Sequence, residues 1–244
     1  MTLCAAGKLL WFLFQVLGNC TIYLFTTAFV SAKNKRHARA AWLHFCAKRH
    51  LKIFGCAPQT FGTIPTRGLL VSNHLSYFDI IVIGSITPAV FVSKADVRGW
   101  PLFGFLTRIA GTVYIERERR SHVGAVNKEI ESALADGLLV VIFPEGTSSD
   151  GQNVLPFRSS LLEPALRGGH DLHVSRINYE LADGDAKQEV CYWGDDSFFP
   201  HLLNLLGKKS VQAKVRFSIF QRQTDDRKEL ATQLHAAVSD LKTV

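Results

Sequence analysis

A histidine and an aspartate in the segment VSNHLSYFDI, residues 71–80, have the types and spacing of a proton-transfer pair. An apolar run ends at Ser72, His74 follows it, and Asp79 lies five residues beyond the histidine. A carboxylate bonded to one imidazole nitrogen leaves the other nitrogen as an acceptor that can take a proton from an alcohol. Ser76 and Asp79 also match a capping box, in which the carboxylate accepts a hydrogen bond from a backbone N–H at a helix start. The spacing therefore leaves a catalytic and a structural interpretation of Asp79 open.

The sequence supplies no obvious nucleophile to go with this pair. It contains no Gly-x-Ser-x-Gly elbow, the motif that presents the serine of many hydrolases. A base and its orienting carboxylate without a serine suit direct acyl transfer, in which a substrate hydroxyl attacks an activated ester or thioester. A hydrolase is accordingly disfavoured.

Two more polar segments follow apolar runs. GTVYIERERR places Arg117 just past one run, and VIFPEGTSSDG places Glu145, Gly146 and Thr147 just past another. A glycine-containing turn, a hydroxyl and a guanidinium can together hold a phosphate or a developing oxyanion. Taken singly, the charge run around Arg117 is also typical of a solvated loop, and Pro-Glu-Gly-Thr of an ordinary turn.

The elements that must position these residues are predicted from apolar runs that alternate with helical patterns. The predicted strands are Gly68 to Ser72, Val90 to Ser93, Thr112 to Ile115, Leu138 to Phe143, Leu172 to Tyr179, Val190 to Trp193 and Val211 to Phe220. The predicted helices are Asp79 to Ile86 and Ser121 to Ala135. This alternation favours a largely parallel α/β sheet, whose ligands gather at the carboxyl ends of its strands.

The amino-terminal part of the chain favours a membrane. Leu9 to Ala32 carries no formal charge and is long enough to cross a bilayer core. The basic residues that follow it predict that the body of the protein faces the cytoplasm; they are Lys33, Lys35, Arg36 and Arg39. A cleaved signal peptide ending at Val30-Ser31-Ala32 is an alternative. So is a segment that turns back within one leaflet near Gly18 and Asn19.

Composition narrows the partners. The net charge of +7 fits an anionic membrane or a nucleic acid, but the sequence has no nucleic-acid recognition motif, so membrane lipids are predicted and nucleic acid is not. The five cysteines show no paired spacing, which suits reduced thiols in a cytosolic context. His170 and His173 have no further ligand cluster nearby, so no metal site is predicted.

Four blocks of sequence resemble the lysophosphatidic acid acyltransferase family of glycerolipid acyltransferases. They are NHLSYFD, GTVYIER, FPEGTSS and VLPFRSSLLEPAL, and the resemblance covers residues 65–180. It implies the family's α/β fold, a mixed and mostly parallel sheet flanked by helices, with an N-terminal membrane-associated helical segment. We therefore expect a membrane-anchoring segment at residues 1–56 and a catalytic domain at residues 57–244.

The resemblance also implies roles for the residues singled out above. His74 would be the base and Asp79 its orienter, Arg117 would bind an acceptor phosphate, and Glu145, Gly146 and Thr147 would line the acceptor site. No cofactor is implied. The acyl donor would be an acyl-CoA or acyl carrier protein thioester, and the acceptor a lysolipid hydroxyl, first of all that of 1-acylglycerol 3-phosphate.

Two departures from the family pattern bear on the acceptor. Ser148 stands where the third block commonly has arginine, and Ser175 and Arg176 stand where the fourth block has proline. Arg176 could replace the lost charge. The tail CYWGDDSFFPHLLNLL is similar to members that acylate lyso-ornithine lipid, which is thus the alternative acceptor. A non-catalytic lipid-binding protein is a further alternative.

Overall fold

The computed structural model describes residues 3–27, 29–116 and 120–242. The helices in these ranges are α1 Leu3–Thr27, α2 Lys35–Ile53, α3 Phe78–Ile86, α4 Phe103–Ile109, α5 Arg120–Ala135, α6 Glu163–Arg167, α7 Ala186–Glu189, α8 Phe198–Gly207 and α9 Arg227–Asp240. The strands are β1 Gln59–Phe61, β2 Gly68–Ser72, β3 Val90–Lys94, β4 Val113–Ile115, β5 Leu139–Ile142, β6 Leu172–Glu180 and β7 Gln212–Ile219. Short 3-10 helices span Ala32–Asn34, Ala95–Gly99 and Ser159–Leu161.

The strands of the described residues form one sheet in the order β1-β7-β6-β2-β5-β3-β4. Neighbouring strands are parallel except β6 and β7, which are antiparallel. The prediction of a mixed, mostly parallel sheet is therefore confirmed. In the centre, Val71 of β2 lies opposite Ile142 of β5, so the polar segments that follow these two strands leave the sheet side by side.

Helices cover both faces of the sheet. Successive residues of a strand point to opposite faces, and Leu70 packs in one buried cluster while Leu69 and Val71 pack in another. The first cluster includes residues of α1, α2, α3 and α8, and the second includes residues of α5, α6 and α9. This double cover explains why all five residues of β2 are buried and why the strand is an almost unbroken apolar run.

Two differences from the predicted elements concern strands. Val190–Trp193 was predicted as a strand, which is wrong: the run leaves α7 and lies over the turn after β2, where the Tyr192 N–H donates to the Leu75 carbonyl. A short apolar run is buried in either case, so its pattern does not show which partner it has. The strand Gln59–Phe61 was not predicted because it is short, mostly exposed and pairs along one edge with β7.

The first helix, α1, contains a stretch, Ala5–Thr27, that is long and apolar enough to cross a membrane by length and composition. Phe12 and Val16 on one side of this helix are buried in the same cluster as the sheet residues. The predicted division of the chain between residues 56 and 57 stays a prediction.

Candidate active site

His74 and Asp79 meet across the turn that joins β2 to α3. The His74 Nδ1–H donates to Asp79 Oδ2 at 2.7 Å. The Asp79 side chain is fully buried, whereas 21% of the His74 side chain is exposed. Because a carboxylate only accepts hydrogen bonds, Nδ1 carries the hydrogen of the neutral ring and Nε2 remains an acceptor. The structure thus brings together the two residues that the spacing singled out, in the geometry of a base and its orienting carboxylate.

Asp79 also serves the backbone. Its Oδ2 atom accepts hydrogen bonds from the N–H groups of Leu75 at 2.7 Å and Ser76 at 3.0 Å. This is the carboxylate half of the predicted capping box. The Ser76 hydroxyl has no hydrogen-bond partner among the described residues, so the other half of the box is not formed. The structural interpretation of Asp79 is therefore confirmed, and its catalytic role stays a prediction.

The second oxygen of Asp79 is bound by a residue that the sequence did not single out. The Tyr179 hydroxyl, near the end of β6, donates to Asp79 Oδ1 at 2.6 Å. Tyr179 is the last residue of the predicted strand Leu172 to Tyr179, and this position at a strand end is the only local feature that could have marked it as a site residue.

A reciprocal pair of hydrogen bonds holds the turn after β2 against the same part of β6. The Asn73 side-chain amide donates to the Ile177 carbonyl at 3.0 Å, and the Ile177 N–H donates to Asn73 Oδ1 at 2.8 Å. Strand β2 stops pairing at Ser72, opposite Ser175, but β6 continues to Glu180. The extended end of β6 therefore runs beside the turn that carries the histidine.

Glu145 lies behind His74 and not in the wall of the cavity beside it. Its Oε1 atom accepts the His74 N–H at 2.7 Å and its Oε2 atom accepts the Leu155 N–H at 3.0 Å. The side chain is buried, and this burial raises the pKa of Glu145 to about 7, although the two backbone bonds lower it. The substrate-binding role that the resemblance implies for Glu145 stays a prediction; its contacts in the structure hold the main chain at His74.

Gly146 and Thr147 do line the cavity beside His74, as does Ser148. Gly146 has a φ of 81°, a left-handed conformation that favours glycine and turns the chain sharply after β5. The next residue along, Ser149, donates its N–H to the His74 carbonyl at 3.0 Å. The turn after β5 is thus bonded directly to the turn after β2.

The run from Val190 to Phe198, here called the 190–198 segment, forms another part of the cavity wall. The Ser148 hydroxyl donates to the Tyr192 carbonyl, while the Tyr192 N–H donates to the Leu75 carbonyl at 2.8 Å. Tyr192, Trp193 and Phe198 line the cavity. The departure at Ser148 and the unusual tail, which the sequence presented separately, are therefore in direct contact.

A chain of hydrogen bonds from Tyr77 through His201 also anchors the 190–198 segment at Cys191. The Tyr77 hydroxyl lies 2.9 Å from His201 Nδ1, and His201 Nε2 lies 3.0 Å from the Cys191 carbonyl. Because a carbonyl only accepts, Nε2 carries the hydrogen and Nδ1 accepts from the tyrosine. Burial lowers the pKa of His201, which keeps the ring neutral at pH 7.

Three cations bear on the charge of the cavity, and two of them, Arg176 and Lys94, lie within the described residues. Arg117, predicted to bind the acceptor phosphate, lies outside the described residues. Arg176 does not replace the missing charge in the cavity: its guanidinium donates to the Ser239 carbonyl on α9, because position 176 of β6 faces the other side of the sheet. Lys94, the last residue of β3, does line the cavity. It was missed although it follows a predicted strand directly.

The cavity itself has a volume of about 320 Å³. Apart from His74, Lys94 and the turn after β5, its wall is largely apolar and comes from the N-terminal helices and from α3, α4 and α8. The apolar residues include Phe12, Val16, Trp42, Leu43, Phe103 and Leu106. A base beside a mostly apolar cavity can activate a hydroxyl next to a bound aliphatic chain while excluding water.

No cluster of three or more His, Cys, Asp or Glu side chains in the described ranges could hold a metal ion.

Comparisons with known proteins bear on the family of this chain. The model of the family described as Acyltransferase matches residues 59–176. The chain is 37% identical to the lyso-ornithine lipid O-acyltransferase of Rhizobium meliloti (strain 1021) over 61% of this chain and 55% of that protein. It is 32% identical to the protein of that name from Brucella abortus (strain 2308), over 78% of this chain and 77% of the relative. The aligned region thus spans little more than half of the first relative.

Another relative and a solved structure carry a different name. The chain is 29% identical to the 1-acyl-sn-glycerol-3-phosphate acyltransferase of Neisseria gonorrhoeae, over 63% of this chain and 60% of that protein. The crystal structure of the 1-acyl-sn-glycerophosphate (LPA) acyltransferase PlsC from Thermotoga maritima matches 97% of this chain and 98% of its own, with a TM-score of 0.58 and 20% identity. The structural match supports the fold, and the sequence matches show that the chain belongs to the lysophosphatidic acid acyltransferase family of glycerolipid acyltransferases.

Proposed function

We propose that the protein is a lysolipid O-acyltransferase, which moves a fatty acyl group from an acyl thioester to the free hydroxyl of a lysolipid. The observation that carries the proposal is the bond from His74 Nδ1 to the buried Asp79 carboxylate, which leaves Nε2 as a proton acceptor beside an apolar cavity. The names of the relatives support the same class of reaction.

The reaction follows from this arrangement in two steps. His74 Nε2 takes the proton of the lysolipid hydroxyl as its oxygen attacks the thioester carbonyl, forming a C–O bond and a tetrahedral oxyanion. The oxyanion then collapses, the C–S bond breaks, and the imidazolium returns its proton to the departing thiolate. No acyl-enzyme forms, and both reacting groups come with the substrates, so the proposed reaction needs no cofactor.

The donor in this proposal is an acyl thioester of coenzyme A or of acyl carrier protein. The excess of basic over acidic residues, 28 against 21, favours an acidic or phosphate-bearing carrier at the surface. The acyl chain would occupy the apolar part of the cavity.

The first candidate acceptor is 1-acylglycerol 3-phosphate, whose acylation gives phosphatidic acid. The Neisseria gonorrhoeae relative is named for this acceptor. A phosphate would find the Lys94 side chain in the cavity wall, and Arg117 keeps its proposed role as a second phosphate ligand.

The second candidate is lyso-ornithine lipid, and a specific observation favours it. The relatives of 37% and 32% identity are named for it. Ser148 stands at the position where the family commonly has arginine, and its hydroxyl is bonded to Tyr192 of the 190–198 segment. That segment contains Asp195 and Asp196 but no Lys or Arg, which suits a head group with an ammonium better than one with only a phosphate.

The proposed setting is a membrane with the catalytic residues on the cytoplasmic side. The apolar helix α1 supports attachment to membrane lipids. The basic residues that follow it, including Lys33 and Lys35, support the orientation.

The test is acyl transfer by the purified, detergent-solubilised protein from one labelled thioester to the two acceptors in parallel. We expect His74→Ala to lower kcat by about 10²- to 10⁴-fold with either acceptor, because the general base is lost. His37→Ala, an exposed histidine on α2, is the matched control and should keep wild-type rates. Full activity of His74→Ala would refute the mechanism. Absence of turnover across a panel of lysolipids would favour a non-catalytic lipid-binding protein.

A further inference from the structure

Tyr179 contacts the His74–Asp79 pair although it lies outside the sequence block NHLSYFD that contains both residues. Its hydroxyl donates to Asp79 Oδ1 at 2.6 Å, while Asp79 Oδ2 receives His74 Nδ1 and two backbone N–H groups. The Tyr179 side chain is buried, and so is Asp79. A buried carboxylate is costly unless its oxygens are hydrogen-bonded, and here each oxygen has a donor.

The direction of the Tyr179 bond is fixed by its surroundings. Burial, followed by the adjacent Asp79 carboxylate, raises the pKa of Tyr179 well above its ordinary value. The phenol therefore keeps its proton at any pH where the protein works, and it can only donate to the carboxylate. A donor on Oδ1 draws carboxylate charge away from Oδ2, the atom that faces the imidazole.

The position of Tyr179 is also fixed. Two residues earlier in β6, Ile177 exchanges two hydrogen bonds with the Asn73 side chain, immediately before the histidine. Side chains two apart on a strand point to the same face, so this clamp sets the register that presents the phenol to Asp79. The Tyr179 ring lies 5.8 Å from the Phe78 ring, which gives it a packed wall on the helix side.

We propose that Tyr179 is a positioning residue of the acyl transfer: by donating to Asp79 Oδ1 it orients the carboxylate and limits the negative charge presented to His74. The inference rests on the proposed role of His74 as the base. It adds a third member, supplied by β6, to the pair that the sequence motif contains.

The direct test is Tyr179→Phe, which removes the hydroxyl and keeps the ring. We expect kcat to fall about 10-fold, the loss of one hydrogen bond to a charged group, while KM for donor and acceptor stays within about twofold. The low-pH limb of kcat/KM should move up by about one pH unit, because a carboxylate without its phenol donor stabilises the imidazolium more and takes up a proton more readily itself.

Tyr114→Phe is the matched control. Tyr114 is also a buried strand tyrosine, and its hydroxyl pairs with the Thr107 hydroxyl at 2.6 Å, away from Asp79. We expect this variant to keep the wild-type pH profile. A shift of the same size in both variants would show that the loss of any buried phenol is enough, and would overturn the inference.

A second measurement separates positioning from folding. If Tyr179 acts through Asp79, the double variant Asp79→Asn/Tyr179→Phe should be no slower than Asp79→Asn alone, whereas independent effects would multiply.

If Tyr179→Phe does not fold, site-specific 3-fluorotyrosine at position 179 keeps the ring and makes the phenol a stronger donor. The low-pH limb of kcat/KM should then move down. An unmoved limb would overturn the inference.

His74→Ala in the same assay distinguishes the two levels of failure. If His74→Ala is active, the proposed function fails. If activity depends on His74 and Tyr179→Phe has the wild-type rate and pH profile, only the role of Tyr179 fails.

Discussion

Asp79 accepts four hydrogen bonds with two oxygens: three come from the turn that follows β2, and one comes from β6. His74 and the N–H groups of Leu75 and Ser76 bind Oδ2, and Tyr179 binds Oδ1. A single buried carboxylate thus closes the start of α3 and orients the imidazole. A residue with this many bonds has no freedom to move with the substrate, which favours a preorganised base.

Glu145 has a different chemical state from an exposed glutamate. Burial raises its pKa from 4.5 to about 7, so near neutral pH the folded protein holds a proton on Glu145 that the unfolded chain has lost. Its two oxygens meet the backbone N–H groups of His74 and Leu155. The contact matters for the base because it fixes the main chain from which the imidazole extends.

This shift gives a pH dependence with a definite sign. A raised pKa stabilises the fold fully below pH 4.5, and that stabilisation is lost as the pH rises to about 7; above that pH it is absent. Glu145→Gln cannot titrate, so the free energy of unfolding of the wild type should fall relative to the variant by up to about 3 kcal/mol between pH 4.5 and 7. Thermal unfolding in detergent across this range measures the difference. A difference independent of pH would show that Glu145 is not the titrating group.

At the scale of elements, the site forms because β6 continues past the point where its neighbour β2 ends. β2 ends at Ser72, where the turn with His74 begins, and β6 continues beside that turn to Glu180. The turn after β5 supplies Glu145 and Ser149, which bond to the His74 backbone from the other side. The imidazole is therefore held between the end of β6 and the turns that follow β2 and β5.

The 190–198 segment decides the shape of the cavity wall next to these turns. Its Tyr192 carbonyl accepts from Ser148 and its Tyr192 N–H donates to Leu75, so its position depends on a small, hydrogen-bonding residue at 148. An arginine at that position would add a cation to the cavity wall.

Ser148→Arg is therefore expected to change the acceptor preference. We expect the ratio of kcat/KM for 1-acylglycerol 3-phosphate to that for lyso-ornithine lipid to rise about 10-fold, since a guanidinium adds a charge-assisted bond to phosphate. Ser148→Ala removes the bond to Tyr192 without adding charge and is the matched control. If each variant changes kcat/KM for the two acceptors by the same factor, the charge at position 148 does not select the head group.

At the scale of the whole molecule, the sheet has two different covers. The face that carries Leu70, Ile177 and Tyr179 packs against a cluster containing α1, α3 and α8, and the cavity opens among these helices. The opposite face is closed by α5, α6 and α9. Helix α1 thus lies on the same face of the sheet as the cavity beside His74.

The outward side of α1 should attach the protein to the membrane. Leu10, Phe14 and Leu17 are 69%, 64% and 69% exposed and follow one another at helical spacing. Combined substitution of these three residues by serine should move the protein from the membrane pellet to the soluble fraction after a carbonate wash. The folded core should be little affected, because the side chains are exposed. Burying such side chains in lipid is worth about 1.5–3 kcal/mol each.

Ile219→Ser is the control for that experiment. Ile219 ends β7 and is 60% exposed. The substitution therefore removes an exposed apolar side chain of similar size that lies outside α1. It should leave the protein in the pellet. If the α1 variant also remains there, attachment does not depend on the exposed face of this helix.

The sequence by itself determined the features that depend on neighbouring residues. The apolar runs predicted six of the strands to within one or two residues, and the positions of polar residues after them predicted where His74, Asp79, Gly146 and Thr147 would meet. These predictions succeed because side-chain periodicity and turn composition are local, and because adjacent parallel strands bring their carboxyl ends to one edge.

Only the tertiary structure decided the contacts between distant parts of the chain. Tyr179 and Asp79 are 100 positions apart, and Asn73 and Ile177 are 104 apart, so no local pattern pairs them. The same reason explains why the predicted strand at Val190–Trp193 is wrong: composition shows that a residue will be buried or polar, whereas its partner depends on which elements the fold packs beside it.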